Sequence, residues 1–164
     1  IKPASPTPQL IPSFFVTTLK ERIVAEMKEA MRAREAVRLD AIRLLRAAIQ
    51  RREIDERVEL GDEEVLTVIQ KMIKQGRDSI AQFEKGARDD LVQKEAAMLA
   101  VLETYLPEQL AEGELTELIN KALNETDAQS VRDMGKVMGW LKPRVQGRAD
   151  MGAVSNAIKQ KLSA

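Results

Sequence analysis

The sequence predicts an all-α protein, and three observations support this prediction. Apolar residues make up 44% of the chain and charged residues 32%, whereas aromatic residues make up only 3%. This composition, with its many Ala, Leu, Glu, Lys and Arg residues, is typical of helical proteins. Apolar side chains also recur every three or four positions over long segments, and Gly, Pro or capping residues separate those segments.

Four helices are predicted for an N-terminal helical hairpin or bundle domain, residues 19–106. They span about 19–34, 36–58, 62–85 and 89–105. The first follows the capping residue Thr18, and its apolar side chains form one stripe. Gly61 is expected to end the second segment and Asp62 to cap the third, because Gly favours helix C-termini and Asp favours N-caps. Pro107 cannot extend the fourth helix.

Three shorter helices, at about 114–124, 131–142 and 151–162, are predicted for a small C-terminal three-helix domain, residues 107–164. Ser130 and Asp133 have the spacing of a capping box, and Asp150 is placed to cap the last helix. Pro143 is expected to break the sixth helix and to re-aim the residues after it.

Residues 1–18 are interpreted as a Pro-rich leader, either flexible or of recombinant origin. They contain four prolines and no acidic residue, and as a transit peptide they are poor because no Arg precedes Arg22. The chain has neither Cys nor His, which excludes disulfides, Cys/His metal sites and His-based catalysis. We expect a cytoplasmic protein with no cofactor, no metal and no membrane partner.

The charges are unevenly distributed along a chain whose formal net charge is zero. Residues 1–58 hold 12 Lys and Arg against 8 Asp and Glu, residues 59–128 hold 7 against 16, and residues 129–164 hold 7 against 2. The three segments therefore carry +4, −9 and +5. A basic C-terminal segment indicates contact with a polyanion, although helical proteins also segregate charge without such a function.

Residues 133–150 are the most informative segment for function. Their cations Lys136, Lys142, Arg144 and Arg148 are the candidate RNA-binding residues, because Lys and Arg supply most phosphate contacts. Gly135, Gly139 and Gly147 are candidates for close backbone approach. For Gly135 and Gly139, close helix packing within the small domain is the favoured alternative, and Gly147 is expected to end a helix. Trp140 is expected in the core rather than stacked on a base.

No catalytic residues are predicted. The paired acids of residues 62–64 and 89–90 could bind a hard cation, but both pairs sit where a helix N-terminus accounts for them. No P-loop, Gly-x-Ser-x-Gly or Ser-x-x-Lys pattern is present.

The chain resembles the YqeY family over about residues 19–164. The resemblance is carried by residues 27–31, 42–49, 83–91 (FEKGARDDL), 105–110 (YLPEQL), 134–138 (MGKVM) and 147–150 (GRAD). It implies a helical N-terminal domain and a C-terminal three-helix domain. That second domain is similar to the tail of GatB, the tRNA-binding subunit of a glutamine-dependent amidotransferase, with the best agreement at Gly135, Lys136, Gly139, Gly147 and Arg148.

The resemblance leads to three functional hypotheses. The first is a non-catalytic tRNA-associated protein whose C-terminal domain binds the tRNA backbone, with amidotransferase or aminoacyl-tRNA synthetase proteins as further partners. The second is a protein-interaction module that docks a partner through the N-terminal bundle. The third is an accessory of carbon-nitrogen ligase activity with glutamine as amido-N-donor. Because GatB's catalytic cradle is absent from this chain, the resemblance to GatB implies at most recognition of tRNA or of a partner.

Overall fold

The computed structural model describes residues 17–164, so the predicted leader lies outside the described residues except for Thr17 and Thr18. In the described range the chain forms helices and a 3₁₀ turn but no strand, which confirms the all-α class. The helices are α1 (Leu19–Ala33), α2 (Ala36–Glu56), α3 (Asp62–Lys85), α4 (Asp89–Glu103), α5 (Glu112–Glu125), α6 (Met134–Val145) and α7 (Met151–Ser163), and the 3₁₀ turn is Val131–Asp133.

Helices α1 to α4 surround one hydrophobic core. Ile42 and Leu45 of α2 and Ile69 of α3 are fully buried there, beside Ile23 of α1. Tyr105, which follows α4, is also buried in this core, and the Arg22 guanidinium lies 4.9 Å from the centre of its ring. The apolar stripes predicted from the sequence therefore face one another.

Gly76 allows α3 and α4 to approach closely. A methyl group added there would overlap the Leu99 side chain and would lie 2.9 Å from Glu95 Oε1. Leu99 is itself buried, so it has little space into which to move. The sequence offered no sign that this glycine, rather than those of α6, lies at a helix–helix contact.

Local side-chain hydrogen bonds set the helix starts. Thr18 forms a capping box with Glu21 at the start of α1, as its sequence position indicated. The expectation for α3 was wrong, because Gly61 is the N-cap and Asp62 is already helical. The Asp62 carboxylate instead accepts the backbone N–H of Leu19 at 2.9 Å and so ties the start of α3 to that of α1.

Helices α5 to α7 and the 3₁₀ turn surround a second hydrophobic core. It contains Val137, Leu141 and Val145 of α6 together with Val154 and Ile158 of α7, all of them fully buried. This cluster is separate from the N-terminal one. The division of the chain after residue 106 stays a prediction.

Hydrogen bonds hold the turn between α6 and α7 in place. Gln70 of α3 donates to the Ala149 carbonyl at 3.1 Å, and Gln109 donates to the Gly147 carbonyl at 2.7 Å. The backbone N–H of Leu110 also donates to the Arg148 carbonyl at 2.9 Å. The turn between α6 and α7 is thus held against both α3 and the segment that follows α4.

Candidate nucleic-acid interface

Helix α6 has one buried face and one exposed face. Val137, Leu141 and Val145 point into the C-terminal core, each four residues from the next. On the opposite side Gly135 and Gly139 are exposed and share one row with Pro143. We call residues 135, 136, 139, 140, 142, 143 and 144 the α6 face.

Three of the four predicted cations lie on the α6 face. Lys136, Lys142 and Arg144 are all exposed, and within residues 17–164 none of them forms an ion pair. Lys136 and Arg144 belong to the row next to the glycines, whereas Lys142 lies on the other side of it. With a rise of about 1.5 Å per residue, Lys142 and Arg144 lie about 9 and 12 Å along the axis from Lys136. The arrangement offers cations on both sides of a row of small residues.

The α6 glycines do not pack against another helix, so that interpretation was wrong. A Cβ atom added at Gly135 or at Gly139 would meet no atom within 4 Å among the described residues. The helix therefore presents bare backbone to solvent at two positions beside its cations. Close approach by an external group remains open to both glycines.

Pro143 does not break α6, contrary to the expectation from the sequence. The helix continues through Pro143 to Val145. Proline removes the N–H that would have bonded to the Gly139 carbonyl, four residues earlier. Because this end of α6 is exposed at Gly139 and Pro143, solvent can satisfy that carbonyl, and the buried Leu141 and Val145 keep the last turn in place.

Arg144 covers the ring of Trp140. Its guanidinium lies 3.8 Å from the ring centre, and it also donates to the Trp140 carbonyl. Trp140 is half-buried and packs against the C-terminal core. The sequence placed it in that core, and the structure buries only part of it there. An RNA base could stack on the face of the Trp140 ring that Arg144 covers only if Arg144 moved away.

Arg148, the fourth predicted cation, does not join the other three on the α6 face. Its Nε donates to the Glu108 carbonyl at 3.0 Å and its Nη1 to the Arg144 carbonyl at 3.4 Å. Gly147, beside it, has φ of 75°, and a Cβ atom added there would lie 3.0 Å from Leu66 Cδ1 and 3.2 Å from Pro107 Cδ. Gly147 and Arg148 therefore belong to the turn between α6 and α7 and not to the α6 face.

The arginines of α2 differ from the cations of α6, because acids partner most of them. Arg38 pairs with Glu35 at 3.0 Å, and Arg52 pairs with Glu56 at 2.9 Å. Such pairs reduce the positive potential of the helix surface. The unpaired cations therefore make α6 the stronger candidate for binding a polyanion.

Acidic side chains at helix starts have structural partners. Glu64 accepts the Gly61 N–H at 3.0 Å, and Asp90 pairs with Arg88 at 3.0 Å. Within residues 17–164 no group of three or more Asp and Glu side chains is arranged to hold a metal ion. No helix in that same range is long and apolar enough to cross a membrane.

A capping box starts the 3₁₀ turn that leads into α6. The Asp133 carboxylate accepts the backbone N–H groups of Gln129 at 2.8 Å and Ser130 at 3.2 Å, and Ser130 Oγ accepts that of Arg132. The two backbone hydrogen bonds to the carboxylate lower the pKa of Asp133. The Lys136 ammonium favours the charged carboxylate as well.

We expect this cap to make stability depend on pH. Because the pKa of Asp133 is lower in the folded protein than its unfolded value of about 4, the cap stabilises the fold above that pH and loses its effect as the pH falls below it. The Asp133→Asn variant should therefore be less stable than the wild type near neutral pH, and the difference should shrink in acid. Urea unfolding from about pH 6 to about pH 3 measures it, and a difference that stays constant over that range would contradict the expectation.

The sequence of this chain matches a known protein family and several known proteins. The model of the Yqey-like protein family matches residues 20–162. The chain is 35% identical over 146 residues to "Altered inheritance of mitochondria protein 41, mitochondrial" of Pyrenophora tritici-repentis, which covers 87% of this chain and 80% of the relative. The protein of the same name from Kluyveromyces lactis is 43% identical over 81 residues, 49% of this chain and 44% of the relative. That of Saccharomyces cerevisiae strain YJM789 is 28% identical over 142 residues, covering 81% and 77%.

The names of these relatives contradict the expected cytoplasmic location, because each of them is named as a mitochondrial protein. That expectation rested on composition and on the poor match of the first 18 residues to a transit peptide. Amino-acid composition depends more on the requirements of folding than on subcellular location, so it did not predict the location here.

Proposed function

Since this chain belongs to the Yqey-like family, whose model matches residues 20–162, we propose that it is a non-catalytic, tRNA-associated helical protein of mitochondria. Its C-terminal helices bind the tRNA backbone through the α6 face. The names of the relatives support the mitochondrial location. The choice of tRNA follows from the resemblance of the C-terminal residues to the GatB tail.

One observation carries the proposal: Lys136, Lys142 and Arg144 are exposed, form no salt bridge within residues 17–164, and lie around a row of small residues. Ammonium and guanidinium groups bind phosphates without reading sequence. The absence of Cβ atoms at Gly135 and Gly139 lets a sugar–phosphate chain approach the helix backbone. The surface therefore suits recognition of backbone and shape rather than of base edges.

Binding of tRNA at two salt concentrations tests the proposal. Three phosphate contacts should give an affinity that falls about 30-fold between roughly 50 and 200 mM salt, because each neutralised phosphate releases counterions. Fluorescence anisotropy with labelled mitochondrial tRNA and the whole chain measures this dependence. An affinity that does not change with salt, or no binding at the lower concentration, would count against the proposal.

The glycines of the α6 face give a prediction in which stability and binding change in opposite directions. The Gly135→Ala and Gly139→Ala variants should each stabilise the protein by about 0.5–1 kcal/mol, because Ala favours a helix interior and neither Cβ meets another atom. The double variant should nevertheless bind tRNA severalfold more weakly, because the methyl groups hold the RNA backbone away. Urea unfolding measures the change in stability, and anisotropy measures the change in tRNA affinity. Unchanged tRNA affinity would show that the two glycines do not contact the RNA.

The protein-interaction alternative is favoured by a separate observation. Leu44 and Ile54 of α2 are large apolar side chains with exposed fractions of 53% and 74%. Leu44 also borders an open groove of about 290 Å³ that contains Phe83 and Met98. Exposed apolar surface beside a groove often marks a protein contact. A photo-crosslinker placed at Leu44 that captures no specific protein in mitochondria would remove this alternative.

A further inference from the structure

A second surface of the molecule has the size and chemistry of a ligand site. An open cleft of about 560 Å³ lies between α3, the segment after α4 and the start of α7. Clefts of roughly 300–1,000 Å³ accommodate small molecules and occur often where domains meet. No residue of the α6 face lines this cleft, so a ligand here would not depend on the RNA interface.

Positive charge remains uncompensated on one wall of the cleft. Lys71, Lys74 and Arg77 lie at intervals of three residues on α3, and the acids of the lining are Glu103 and Asp150. Arg77 pairs with Glu103 at 3.2 Å. Asp150 accepts the Gly152 N–H at 3.2 Å as the cap of α7. The two lysines are left without an ion pair among residues 17–164, and lysine is a common ligand of phosphate.

Other parts of the cleft offer apolar surface and hydrogen-bond acceptors. Leu106, Pro107 and Met151 supply apolar surface. The amide nitrogens of Gln70 and Gln109 donate to backbone carbonyls, which fixes the orientation of both amides. Their Oε1 atoms accept no hydrogen bond from the described residues, and so they can accept one from an N–H group of a ligand.

We infer that this cleft binds a nucleoside monophosphate. Lys71 and Lys74 contact its phosphate, the apolar side chains contact a face of the base, and the glutamine carbonyls accept from its N–H groups. This ligand combines an anion, a flat apolar ring and N–H donors, which are the three features that the lining matches. The assignment is independent of tRNA binding by the α6 face.

Isothermal titration of the whole chain with AMP, GMP, CMP and UMP tests the inference. At least one should bind with a stoichiometry of one, and its nucleoside and inorganic phosphate should each bind at least about tenfold more weakly, because each lacks part of the recognised chemistry. Absence of binding by all four nucleotides up to about 1 mM would overturn the inference. Equal binding of inorganic phosphate would overturn the nucleoside assignment.

Substitutions then locate the site. The double variant Lys71→Gln and Lys74→Gln should weaken binding at least about tenfold, since two charge-assisted hydrogen bonds are lost. A matched control, Lys121→Gln with Lys159→Gln, removes the same charge from exposed positions on α5 and α7 and should bind as the wild type does. Both lysines of the cleft are exposed, and circular dichroism checks that the helices remain. Equal affinity in the cleft variant and the control would overturn the assignment.

Discussion

A variant carrying Lys136→Glu, Lys142→Glu and Arg144→Glu is expected to lose at least about 100-fold in tRNA affinity at low salt while it keeps its helices. The change removes three phosphate contacts and places three carboxylates where the RNA backbone would lie. All three positions are exposed, and none of the three side chains forms a salt bridge within residues 17–164. The fold loses the contacts of Arg144 with the Trp140 ring and carbonyl and the attraction of Lys136 to Asp133, but no buried side chain, so the helices should remain. Arg148 is left unchanged, because its hydrogen bond to the Glu108 carbonyl, 40 residues away, holds the turn after α6 against the segment after α4.

A matched control separates a local effect from one of net charge. Lys94→Glu, Lys121→Glu and Lys159→Glu change the net charge by the same amount at exposed positions outside α6. This control should lose much less affinity, because at roughly 50 mM salt repulsion between charges is screened beyond about 14 Å. Equal losses in the two triple variants, measured by anisotropy under the same conditions, would show that α6 has no special role.

The Gly147→Ala variant should destabilise the protein by about 2 kcal/mol. With φ of 75°, Gly147 lies in the left-handed region, where an L-residue costs about 1–2 kcal/mol. The added Cβ would also lie 3.0 Å from Leu66 Cδ1 and 3.2 Å from Pro107 Cδ, so the segments on both sides of the turn would have to shift. Urea unfolding followed by circular dichroism measures the loss.

Gly113→Ala is the control for that experiment. Gly113 lies in α5, and a Cβ atom added there would meet nothing within 4 Å among the described residues. This variant should be as stable as the wild type or up to about 1 kcal/mol more stable, because Ala is the better helix former. A Gly147→Ala protein that unfolds at the same urea concentration as the Gly113→Ala protein would contradict the structural role of the turn.

The sequence was sufficient for those features of the fold that depend on local chemistry. The period of apolar residues predicted each of the seven α-helices within residues 17–164, and hydroxyl or carboxylate side chains marked the starts at Thr18, Ser130 and Asp150. Each cap is satisfied by backbone groups two or three residues away, so the necessary information lies within one turn.

Features that depend on distant contacts were not predictable in this way. Asp62 was expected to be a cap, yet its carboxylate bonds to Leu19, 43 residues away. Gly76 matters because Leu99 lies against it, whereas Gly135 and Gly139 face open space. A glycine within a helical pattern shows that the helix lacks a Cβ atom at that position, but it does not show whether another residue packs there.

The candidate interface was predictable in part. Composition drew attention to residues 133–150, but the expected break at Pro143 separated Arg144 from Lys136, and only the continuous helix places the two on one row. Periodicity could not show that Arg148 turns toward the Glu108 carbonyl, because that contact spans 40 residues. It also could not show that α6 continues beyond Pro143, which depends on burial of Leu141 and Val145 in the second core. The cleft beside Lys71 and Lys74 involves three separate segments and gave no signal in the sequence.

The most direct test of the central proposal is a titration of the isotope-labelled whole chain with tRNA, followed by amide chemical shifts. The proposal predicts that the largest changes at low salt occur at Gly135, Lys136, Gly139 and Lys142, and that they diminish as salt is added. Changes confined to α1 and α2, or no change at any amide, would contradict an RNA interface on α6.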